Sequence, residues 1–154
     1  MNNMNRAPAK MITAILDHLS QESVQRWGAN LVSIVLFGSL ARGDAHQHSD
    51  IDLLLVVRNL PQGWRERSTL ELSFERLGLQ WGKPLQVILV EPGEVRLAVD
   101  DVMPLLLEMR EGYRCLFDRD EFFQTEMNRL EGILVRRGVR RLAEHKWEVP
   151  ELVK

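Results

Sequence analysis

Apolar residues change their spacing several times along the chain, and each change marks an element. Met11, Ile12, Ile15, Leu16, Leu19 and Val24 recur at helical intervals between Ala9 and Trp27, which predicts an amphipathic helix stopped by Gly28. The run LVSIVLF from Leu31 is short, rich in branched residues and ended by Gly38, so it reads as a buried strand. Leu40 to Arg42 read as one helical turn, and DAHQHS as a polar loop. IDLLLVV from Ile51 is a second strand, and because it lacks polar alternation both its faces should be covered.

Pro61, Gln62 and Gly63 break the pattern. Trp64, Leu70, Leu72, Phe74, Leu77 and Leu79 then mix with charges over a helix that Gly78 or Gly82 ends. PLQVILV from Pro84 is a third strand, closed by Pro92 and Gly93. Helices over about Glu94–Val99 and Pro104–Glu111 follow, then RCLFD as a short edge strand. A long helix from about Asp120 to Arg137 carries Phe123, Met127, Leu130 and Leu134 on one stripe, and Gly138 ends it. This order predicts an α/β (α+β) domain, a small mixed sheet flanked by helices. With no repeat or linker, residues 1–154 are expected to form one domain, with a core over about 10–118 and a C-terminal helical extension over about 119–150.

A chain of 154 residues is long enough to bury about two-thirds of its unfolded surface. Its 45% hydrophobic and 27% charged residues suit a soluble globular domain, and no apolar run approaches the ~18 residues of a membrane span. The segment MNNMNRAPAK has no apolar core, so no secretory signal is expected and the cytoplasm is the expected location. Cys115 is the single cysteine, which excludes an internal disulfide and suggests packing. A net charge of −2 offers nucleic acid no overall attraction. Charge is uneven, however: Arg129, Arg136, Arg137, Arg140, Arg141 and Lys146 face only Glu131 and Glu144. Such a cluster reads as a solvated helix end, or as a patch that meets an RNA, an acceptor or an acidic protein.

The chemistry concentrates in FGSLARGDAHQHSDIDLLLVV, residues 37 to 57. Gly38 lets backbone amides approach phosphate oxygens, and Ser39 adds a hydroxyl and its own amide. Asp50 and Asp52 flank one residue at the head of a strand, so their carboxylates share a face. Acids that close repel unless a cation lies between them, and hard oxygen ligands beside phosphates suit Mg²⁺. A glycine turn and an acid pair of this kind point to a nucleoside triphosphate site.

The Gly-Ser, ten residues, Asp-x-Asp string resembles the signature of the DNA polymerase beta-like nucleotidyltransferase superfamily, most closely its minimal nucleotidyltransferase branch. Gly38, Ser39, Arg42, Gly43, Asp44, Ser49, Asp50 and Asp52 fall where that branch has them, and MPLLLEMREGYRCLFDRDEFF and the Trp147 region extend the likeness to roughly residues 10–150. The resemblance implies the nucleotidyltransferase fold and transfer of a nucleotidyl group, such as AMP from ATP, to a protein or RNA hydroxyl. It makes Asp50 and Asp52 the catalytic metal ligands for Mg²⁺ or Mn²⁺, and Gly38, Ser39, Arg42 and Ser49 the nucleotide-binding residues. It also implies a HEPN-type toxin as partner, with this chain as the antitoxin that modifies it. Arg136, Arg137, Arg140 and Arg141 are the residues through which a partner protein or RNA would be met; homo-oligomerisation is left open, and no membrane partner is expected.

One position departs from the pattern. Where the family has a third acid on the strand after the intervening helix, this chain reads Leu85-Gln86-Val87. An amide oxygen can ligate Mg²⁺ but cannot accept a proton or offset charge. Gln86 is therefore the doubtful third site position, and two functional readings follow: a working transferase, or a weakened nucleotide-binding module that neutralises or recruits a partner by contact. Glu91, of opposite parity to Gln86, and Asp44 are the candidate acids to stand in. Arg42 reads either as a triphosphate ligand or as a pin to Asp44 or Asp50, and His46 and His48 as solvated loop residues or, less naturally, metal ligands.

Overall fold

The computed structural model describes residues 6–45, 49–144 and 146–150. Four strands form one sheet in the order β3-β2-β1-β4, where β1 is Leu31–Phe37, β2 Ile51–Val57, β3 Leu85–Val90 and β4 Arg114–Asp118. The sheet is mixed: β1 pairs antiparallel with β2 and β4, and β2 pairs parallel with β3. The parallel pair is joined through the sixteen-residue helix Trp64–Leu79, the long crossover that a parallel connection requires.

Both faces of β1 and β2 are covered, as their unbroken apolar runs predict. Ile34, Leu36, Ile51, Leu53, Leu55, Val87 and Leu89 pack toward α1 (Arg6–Trp27) and α3 (Trp64–Leu79). Val32, Val35, Leu54 and Val56 pack toward α4 (Pro92–Asp100), α5 (Pro104–Arg110) and α6 (Phe122–Arg137). The α6 stripe of Phe123, Met127, Leu130 and Leu134 is buried throughout. Asp118, at the end of β4, anchors the start of α6. It accepts the backbone N–H groups of Phe123 and Gln124, at 2.9 and 3.1 Å, and the buried Ser33 hydroxyl at 2.6 Å. Three donors at one carboxylate tie the edge strand, the central strand and the last helix together.

The chain after α6 differs from the expected helical extension. Gly138 adopts φ +65° and turns the chain into a hairpin of β5 (Arg140–Ala143) and β6 (Lys146–Glu148). Trp147 lies beneath the Arg110 guanidinium, and Arg141 reaches Glu111 at the end of α5, so tertiary contacts decide this segment. Among the described residues no helix is long and apolar enough to cross a membrane.

Candidate active site

Register brings the expected residues together. Phe37, the last residue of β1, stands opposite Asp52, and Asp52 stands opposite Gln86 on β3. The Gly38–Ser39 turn, the acid and the amide thus lie in a row across three strand ends, with successive strands ~4.8 Å apart. Asp52 shares strand parity with Leu54, which places it on the face covered by α4, α5 and α6.

The turn is helical from its first residue: α2 spans Gly38–Arg42, somewhat longer than the sequence predicts. Its preceding residue, Phe37, supplies no side-chain cap. Gly38 sits at φ +76°, and a Cβ there would run into Asp52 Oδ2. The glycine is therefore needed on two counts, its backbone conformation and the room it leaves for the acid.

The two acids are not equivalent. Burial raises the Asp52 pKa, the Asp50 charge raises it further, and Arg42 opposes both. Asp50 Oδ2 instead accepts a hydrogen bond from Gln86 Nε2 at 3.1 Å. A negatively charged, half-buried pair of hard oxygen donors fits Mg²⁺, and Asp50 and Asp52 are the residues that would hold it. Among the described residues no group of three or more His, Cys, Asp or Glu side chains converges, so no third acid completes this set. Glu91 is at the far end of β3, where its carboxylate accepts the Leu60 N–H at 2.9 Å and caps α4 together with Glu94. Asp44 is exposed and pairs with Arg42 at 3.4 Å. Neither stands in for the acid that Gln86 replaces.

Of the roles the sequence leaves open for Arg42, the structure shows the pin to Asp44, and its charge also reaches Asp52. The sequence reading missed Gly112, directly after α5. A Cβ on Gly112 would come 3.1 Å from the Arg42 Cα, so a bare backbone here lets α2 seat against the end of α5. The only available signal was a glycine following a helix, which ordinarily marks no more than a cap. Ser49 is buried next to Asp50. His46 and His48 lie outside the described residues.

The expected basic patch is paired in part, while Arg136 is exposed. Arg140 pairs with Glu148, Arg141 with Glu111, and Arg137 donates to the Pro150 carbonyl. Arg129 is held by Asp100 and Glu126. Cys115 is a packed residue, its thiol pushed up to about 11 by burial.

The sequence model of the nucleotidyltransferase domain matches residues 16–111, more than half of the chain. The chain belongs to the nucleotidyltransferase family. The matched span runs from α1 to the end of α5 and contains the turn, both acids and Gln86. A second nucleotidyltransferase, "Putative protein adenylyltransferase MJ1305" of Methanocaldococcus jannaschii, is 35% identical over 147 residues, covering 94% of this chain and 98% of that protein. Among solved structures, a toxin–antitoxin with AMP-PNP is similar at 17% identity and TM-score 0.49, over 79% of this chain and 91% of that one. The complex of the tri-AMPylated Shewanella oneidensis HEPN toxin with its MNT antitoxin is similar at 14% identity and TM-score 0.46, over 79% and 92%.

Proposed function

We propose that this nucleotidyltransferase transfers AMP from Mg²⁺-ATP to a hydroxyl group of a partner protein. The observation that carries the reading is the contact of Gly38 with Asp52, which seats a phosphate-binding turn directly against an acid pair. The 35% identity to the M. jannaschii protein, over nearly the full length of both chains, supports a protein acceptor. Pairing of Arg140 and Arg141 with carboxylates weighs against RNA, whose affinity rests on unpaired cations. The family resemblance makes a HEPN-type toxin the expected partner and this chain its antitoxin.

In this reading the amides of the Gly38–Ser39 turn hold the triphosphate, and Arg42 adds positive charge beside it. Mg²⁺ held by Asp50 and Asp52 supplies neutralisation of the phosphate charge when bound. The acceptor oxygen forms a bond to the α-phosphorus as the bond from that phosphorus to the α–β bridging oxygen breaks. Pyrophosphate departs with the electron pair, and the acceptor proton passes to solvent, since Gln86 cannot take it. Positioning and electrostatics thus carry most of the rate.

The hydrogen bond from Gln86 to Asp50 favours a second reading, a nucleotide-binding module that acts on its partner by contact. Incubation of the chain with ATP labelled at the α-phosphate and the partner isolated from the native host separates the two. Label appearing on the partner, and abolished by Asp50→Asn with Asp52→Asn, supports transfer; binding of nucleotide and partner with no label moved supports the module.

A further inference from the structure

Resting on the transfer reading, we propose that the shallow cavity between α3 and the head of β3 is the docking site for the acceptor, taking a protein segment in which the hydroxyl residue is flanked by an apolar and an acidic residue. The strand order carries the first step. The phosphate turn follows β1, the acids head β2, and Gln86 heads β3. Displacement at phosphorus is in line, so the attacking hydroxyl arrives opposite the departing pyrophosphate. With the triphosphate over the turn, the acceptor comes from beyond Asp50, across β3.

A cavity of about 380 Å³ lies there, and Asp50 and Gln86 form one of its walls. Its other wall is one stripe of α3, where Leu72, Glu75, Arg76 and Leu79 recur at helical spacing. Leu72 and Leu79 are 53% and 76% exposed, an unusual outlay of apolar surface beside two carboxylates. Arg76, exposed between them, makes no hydrogen bond or ion pair among the described residues. An acidic side chain complements it.

The strand edge itself is closed to an incoming chain. β3 is an edge strand, yet its outward N–H groups at Val87 and Leu89 are accepted by Glu75 and Glu71 on consecutive turns of α3. Strand addition would need those N–H groups. Recognition therefore falls to side chains, the leucines by apolar contact and Arg76 by charge.

The test uses the full chain with ¹³C-labelled leucine methyls and ¹⁵N-labelled glutamine amides and a blocked synthetic peptide of leucine, glutamate, serine and leucine in that order, followed by NMR. The expected result is a shift of the Leu72 and Leu79 methyls and the Gln86 side-chain amide on titration. Arg76→Glu should weaken this peptide about fivefold and favour a matched peptide carrying lysine in place of glutamate. Leu72→Ser with Leu79→Ser, both exposed, should abolish the shifts while thermal unfolding stays cooperative. Peptide shifts on another face, no shifts at all, or indifference to Arg76→Glu overturns the site. Transfer of labelled AMP to the native partner, read separately, tells the two failures apart. Transfer by a chain whose α3 face ignores the peptide removes the docking site only, whereas peptide binding at that face without transfer removes the enzymatic reading.

Discussion

The Asp52 carboxylate occupies the space in which a side chain at position 38 would begin. The turn and the acid pair are therefore one unit, and a change in the glycine is felt at the Asp52 carboxylate.

Gly38→Val should weaken Mg²⁺-ATP binding at least about tenfold, or 1.4 kcal/mol, because it obstructs the amides and displaces Asp52 together. The left-handed backbone at φ +76° adds a cost of about 1–2 kcal/mol to the fold, which stays folded. Calorimetry and thermal unfolding read the two effects separately. Unaltered affinity would reduce the turn to a structural feature.

Replacing Asp50 and Asp52 by asparagine should also cut Mg²⁺-dependent nucleotide affinity by about tenfold or more. Without metal the same variant should be no less stable than the parent, since burial and the Asp50 charge already work against ionised Asp52. Destabilisation of the metal-free variant would assign the acids a structural role.

Gln86→Asp should raise the single-turnover rate of transfer to the native partner while leaving nucleotide affinity nearly unchanged. The new carboxylate acts mainly as the hydroxyl loses its proton, so it lowers the transition state more than the bound state. It also removes the donor that now serves Asp50, so the metal-free variant should unfold more easily. Rapid transfer by the parent, unchanged or slowed by the substitution, would show that the third acid is dispensable here.

Glu71 gives a pH signature. Burial raises its pKa, outweighing the hydrogen bond from the Leu89 backbone. A raised carboxyl pKa in the native state means that the contribution is fully present below the unfolded value of about 4.3 and is lost as pH rises through the native one. Between about pH 4 and about pH 7 the parent should therefore lose more stability than Glu71→Gln, measured by urea unfolding at both values. Parallel behaviour of the two would remove Glu71 from the account.

Elements whose fate is settled by local pattern were legible in the chain. The β1 and β2 runs are apolar at nearly every position, so burial on both faces was dictated before any partner was known, and the α6 stripe likewise. The candidate site's convergence was legible for a related reason: a Gly-Ser turn and an acid pair of period two keep their spacing in the sequence itself. What followed Gly138 was not. RRLAEHKWE carries few apolar positions at either period, and it became a hairpin because Trp147 and Arg141 find Arg110 and Glu111 on a distant helix.

The sequence by itself determined the strand runs, the phosphate turn and the acid pair, because short-range spacing selects them. Only the tertiary structure decided which groups meet: Gly38 against Asp52, Gln86 bonded to Asp50, Glu91 carried to the far end of its strand, and Arg140 and Arg141 paired with Glu148 and Glu111. These depend on strand register and helix docking between residues many positions apart, and a one-dimensional pattern does not encode which distant charge a side chain will face.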